Sequence, residues 1–143
     1  MQKPTNDRDM QCPGNPPGRV PQVVKAGSGR TAVRLELIKQ GRDLLLRVTG
    51  GEAHVGAVAV CHDQGAELMV VPGHKEGPLA AECAEAVALA AGCTCTAVAG
   101  IHQDEATGEE IAAIVANVRK ALGILIESLS APISILKEDH EQP

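Results

Sequence analysis

A chain of 143 residues without a single Phe, Tyr or Trp must build its core from Val, Ile, Leu, Ala and Met. Side chains this small suit thin layers, a sheet covered by helices, more than a wide core. The same lack bears on ligands. A planar molecule finds no aromatic side chain to stack on, and must lie against aliphatic groups, peptide planes or imidazole rings. The length gives room for one domain with one core.

The formal net charge is −5 and the basic residues are scattered. A nucleic-acid surface needs a basic stripe and usually stacking aromatics, so that class is excluded. No apolar run approaches the roughly 18 residues of a membrane span. Residues 1–10 lack the apolar stretch of a signal peptide. The expectation is a soluble, cytoplasmic protein. Five cysteines, Cys12, Cys61, Cys83, Cys93 and Cys95, make an odd count and read as reduced, mostly buried thiols. Cys93 and Cys95 share one face of a strand, and no second pair stands near enough in sequence to complete a zinc site.

Proline and glycine crowd residues 1–29, which read as a flexible extension; residues 137–143 read as a charged tail. Between them, residues 30–136 read as a single α/β domain. Val33, Leu35 and Leu37 alternate with polar neighbours, the period of a half-exposed strand. A turn at residues 40–43 leads to a returning strand at 44–48, broken at Gly50 and Gly51. Residues 55–60 are apolar on both faces and read as a buried central strand. Residues 67–71 form another strand, ended by Pro72 and Gly73. Leu79, Cys83, Val87 and Ala90 fall at helical spacing over 79–91, with Gly92 as the C-terminal cap. A strand follows at 94–99. Thr107 and Glu110 then have capping-box spacing, opening a long helix whose apolar face runs through Ile111, Ile114, Val115, Val118, Leu122, Leu125 and Leu129. The order β-β-β-β-α-β-α predicts an α/β fold, an α+β sandwich in which helices pack on one face of a mixed sheet.

Topology then places the chemistry. If strands 55–60 and 67–71 form a hairpin, the start of one and the end of the other share a sheet edge. If 67–71, helix 79–91 and 94–99 form a crossover, the end of 94–99 joins them. His54, His74 and His102 therefore converge, whereas His62 falls at the opposite end and His140 in the tail. Both helices start at that edge, where backbone N–H groups and the helix dipole favour phosphate or carboxylate. Lys75 adds a cation, and Gly56, Gly73 and Gly100 let a ligand approach the backbone. Glu76, Asp104 and Thr107 complete the candidate set. Arg119 and Lys120 read as surface charges. The chain has no G-x-S-x-G motif and no Cys at that edge to serve as a nucleophile.

The segments 52–59 (Glu-Ala-His-Val-Gly-Ala-Val-Ala), 72–76 (Pro-Gly-His-Lys-Glu) and 99–111, which holds Gly-Ile-His-Gln-Asp, resemble in order the LpdD-like prenylated flavin chaperones. That family is named for the D subunit of gallate decarboxylase and is related in fold to proteasome assembly chaperones. The resemblance spans about Val33 to Leu129. It departs at Glu105, where the family pattern has Asn. It implies a non-catalytic partner of UbiD-type decarboxylases that binds prenylated FMN, or FMN, and delivers or matures it. A homodimer with the ligand near its interface is implied as well. The phosphate would sit on Lys75 and the helix N-termini, with the histidines on the ring edge, the phosphate or a cation. Two other readings stay open. One is a metal protein or metal-dependent enzyme built on His54, His74 and His102. The other is a structural assembly subunit that uses the long helix and the apolar segment 131–136.

Overall fold

The computed structural model describes Val20 and residues 22–130. Six strands and two helices follow in order: β1 (Gln22–Ala26), β2 (Val33–Gln40), β3 (Asp43–Gly51), β4 (Ala57–His62), β5 (Gly65–Val70), α1 (Gly77–Ala91), β6 (Cys95–His102) and α2 (Gly108–Ser130). A short 3-10 turn, Gly29–Thr31, joins β1 to β2. The sheet order is β1-β2-β3-β6-β4-β5. β3 and β6 run parallel at its centre, and the remaining neighbours are antiparallel. The α/β class, the mixed sheet and the covered face match the reading of the sequence, and so does the hairpin of β4 with β5.

Element ends shift by a few residues throughout, and three readings differ in kind. Gln22–Ala26 was read as part of the extension, yet it pairs with β2 along five residues, and its alternating burial shows why: Val24 and Ala26 face the core. β3 does not break at Gly50 and Gly51; both pair with β6. β4 is neither central nor buried on both faces. Ala57 and Ala59 are buried while Val58 and Val60 remain half-exposed, because the helices cover one side of the sheet alone. The Cys12, His140 and 131–143 readings lie outside the described residues.

The core divides into two halves by side-chain size. Under α1 the sheet offers Ala57, Ala59, Ala97 and Ala99, met by Ala80, Ala84 and Ala88. Under α2 it offers Leu35 and Leu37, met by Val118, Leu125 and Leu129. Small against small and large against large keeps both helices at packing distance without an aromatic filler.

Cys83 and Cys95 are wholly buried, and none of Cys61, Cys83, Cys93 and Cys95 is joined in a disulfide. Burial pushes the thiols of Cys83 and Cys95 up from 9.0 to about 12, with smaller contributions from Glu82 and from Cys61 respectively. The unfolded chain ionises these thiols above its lower value. The stability they contribute is therefore intact below pH 9 and is lost as pH climbs toward 12. Each thiol should cost about 1.4 kcal/mol one pH unit above the unfolded value. Urea unfolding at two pH values, either side of 9, should show this loss, and the Cys83→Ala/Cys95→Ala chain should show a flatter profile.

Candidate functional site

β3, β5 and β6 end at one edge of the sheet and β4 begins there, so four loops meet. The His54 ring lies 4.9 Å from that of His74 and 6.3 Å from that of His102, centroid to centroid. Each ring is held differently. His54 Nδ1 lies 3.2 Å from the Glu52 carbonyl. His74 Nδ1 faces the carbonyls of Val71 and Pro72 at 3.3 and 3.2 Å, two acceptors that require the proton on that nitrogen. His102 Nε2 pairs with Asp104 Oδ1 at 2.8 Å.

A cation shared by the three rings was one open alternative. Their nitrogens turn to separate partners, and among the described residues no group of three His, Cys, Asp or Glu side chains is placed to hold a metal ion.

Glu76 is the residue that ties the edge together. It precedes α1 but does not cap it with its side chain. Its Oε2 accepts the Ile101 backbone N–H at 3.1 Å instead, and stands 3.0 Å from His54 Nε2. The latter contact lies within ion-pair distance but off the hydrogen-bond direction. His54 Nε2 and Glu76 Oε1 are both buried with no hydrogen-bond partner among the described residues. Buried polar atoms without partners are uncommon, and each needs a reason. Gly56 and Gly100 serve this packing. A Cβ on Gly56 would meet the Glu76 carboxylate, its Cδ at 2.7 Å, and one on Gly100 would strike the His54 carbonyl.

The two helix starts are not equivalent. At α2 the capping box closes as expected: Glu110 N–H donates to Thr107 Oγ1 and Thr107 N–H to Glu110 Oε1, both at 3.0 Å. Arg30 clamps the box through Glu110 Oε2 at 2.8 Å and the Asp104 carbonyl at 2.7 Å. That guanidinium holds the Glu110 carboxyl below its usual range. An anion seat at α2 is therefore already taken by protein groups; only the start of α1 keeps its first turn without a side-chain cap. Glu105, beside this clamp, has φ 52°, a left-handed conformation that Asn tolerates far better than Glu.

From the histidine edge a cavity of about 660 Å³ runs between α1 and α2. His54, Gly73, His74, Lys75, Glu76 and His102 line one end of it; Gly56, Gly100, Asp104 and Thr107 do not. Leu79, Ile111, Ile114 and Val115 form its aliphatic wall, and the Glu82–Arg119 ion pair, 3.0 Å, bounds it too. The helical period placed Ile111 and Val115 on the apolar face of the helix, and periodicity gives a face and not what covers it. Ile111 is in fact 53% exposed. Arg119 is a surface charge, as the sequence suggests, and it also lines the cavity beside Glu82, to which it bonds.

No helix is long and apolar enough to cross a membrane among the described residues. No curated protein matches the chain. A chain from the crystal structure of a novel chaperone complex for yeast 20S proteasome assembly superposes with a TM-score of 0.52 at 10% identity. The match covers 76% of this chain and 97% of that one, a likeness of fold alone. Residues 27–130 match the family described as the prenylated flavin chaperone LpdD-like domain, so the chain belongs to the LpdD-like prenylated flavin chaperone family and is non-catalytic.

Proposed function

We propose that this protein, acting as a homodimer, holds prenylated FMN in the cleft between its helices and hands it to a UbiD-type decarboxylase of aromatic acids. The observation that carries the reading is the cleft itself, which joins a polar end of imidazoles and Lys75 to an aliphatic wall. A prenylated flavin has the matching halves. Its phosphate suits Lys75 and the uncapped start of α1. Its ring system, enlarged by an aliphatic ring, suits Leu79, Ile111 and Val115 in a chain without aromatic side chains. The histidines can reach toward its polar edge. A holding protein needs affinity and release rather than a stabilised transition state.

The test is retention of anaerobically prepared prenylated FMN, and of plain FMN, through size-exclusion with absorbance detection. The prenylated form should be retained. His74→Ala/Lys75→Ala should weaken binding by roughly 100-fold, the worth of one or two charge-assisted contacts. Unchanged retention by the His54→Ala/His74→Ala/His102→Ala chain would overturn the site.

A further inference from the structure

Helical spacing carries one ion pair into the wall of the cleft. On α2, Ile111, Val115 and Arg119 follow one another at four-residue steps, and on α1 Pro78 and Glu82 do the same. The two charged side chains therefore end the stripes that face each other across the cavity. They join there: Arg119 Nε and Nη2 donate to Glu82 Oε2 and Oε1 at 3.0 and 3.1 Å. With the arginine 61% and the glutamate 40% exposed, such a pair adds little to folding stability. Its importance lies in its place, a polar station at the far end of an aliphatic wall from the histidines. The bonds use two of the five guanidinium N–H groups and one lone pair on each carboxylate oxygen. A free donor and a free acceptor therefore stand side by side.

We propose, on the flavin reading of the cleft, that this pair is the seat of the ligand's imide edge: Arg119 donates to the C4 carbonyl of the ring system, and Glu82 accepts its N3–H. That edge is neutral and presents acceptor, donor and acceptor in a row. A lone cation or a lone carboxylate would match one of these atoms, whereas a joined pair matches two neighbours at once. The placement suits one extended ligand. At about 1.5 Å per residue, Glu82 lies ~7.5 Å along α1 from Gly77, where the phosphate would sit. The ribityl chain leaves the ring beside N1 and the C2 carbonyl, so that side faces the imidazoles. N3–H and the C4 carbonyl then point down the cleft toward the ion pair. The added aliphatic ring of the prenylated form lies elsewhere and leaves this edge unchanged. Arg119 and Glu82 thus fix which way round the flavin lies, while the aliphatic wall takes its faces.

The probes are lumiflavin, which has the ring but neither ribityl chain nor phosphate, and 3-methyllumiflavin, in which a methyl group replaces the N3 hydrogen. Fluorescence titration with the full chain gives both affinities. Wild type should bind lumiflavin roughly tenfold more tightly than its 3-methyl form, the worth of one hydrogen bond. Glu82→Ala/Arg119→Ala should bind both alike, at the weaker affinity and with unchanged circular dichroism. A merely structural role for the pair would lower both affinities and preserve their ratio. Equal binding of the two probes by wild type, binding of neither, or a ratio that survives loss of the pair would each overturn the seat. Any of these with prenylated FMN still retained by wild type would leave the cleft reading standing. Failure of wild type to retain prenylated FMN would overturn that reading and this seat together.

Discussion

Gly100→Ala should cost about 3 kcal/mol or more of folding stability, the upper range for overpacking a tight site. The reason is local and backbone-bound. Gly100 sits in β6 between Thr49 of β3 on one side and the loop that carries His54 on the other. A methyl group there runs into the His54 carbonyl, which has no rotamer with which to yield. Either β6 shifts, breaking the parallel pairing at the centre of the sheet, or residues 52–56 lift off and take the His54 ring from His74. Urea unfolding should show a lower midpoint with an unchanged slope. Flavin retention should fall with it if the loop moves. Gly123→Ala is the control: it lies in α2 with open space around it, and should gain roughly 0.5–1 kcal/mol.

Glu76→Ala should have the next largest effect, about 2–3 kcal/mol. The substitution strips the acceptor from the part-buried Ile101 N–H, and an unsatisfied donor carries a desolvation penalty. Glu76→Gln keeps an acceptor oxygen of the same reach and should cost less than half as much. Amide hydrogen exchange separates the two. In the Ala variant the Ile101 amide should exchange markedly faster, while amides in β2 remain as protected as before. Equal losses in both variants would mean that the charge near His54, and not the bond to Ile101, is what holds the edge.

The gathering of the histidines was legible because it needs only strand directions. A tight turn at residues 62–65 makes a hairpin, and the helix that follows β5 makes a crossover; direction then fixes which loops share an edge. That the crossover passes over β4, so that β5 and β6 are parallel without touching, leaves the result unchanged. What stayed hidden depended on side-chain direction or long-range partners. Nothing in the sequence says that Glu76 turns from its own helix to the end of β6, or that Arg30 reaches Glu110 across eighty residues. β1 was concealed by its setting. Pro21 before it and Gly27 after it gave the stretch a loop's composition, although Val24 and Ala26 already had a strand's alternation. Ile111 shows the same limit from the other side, since a cleft wall and a core face carry one helical period.

The lack of aromatic side chains also sets how such a container treats electrons. Tyrosine and tryptophan are the residues that ordinarily relay single electrons through proteins and quench excited flavins by donating one. This chain has neither, and its two deepest thiols are held protonated by burial. A reduced flavin in the cleft would meet no aromatic relay on the protein side. Its absorbance and emission would be those of the bound ligand alone, against a polypeptide that is dark at the same wavelengths.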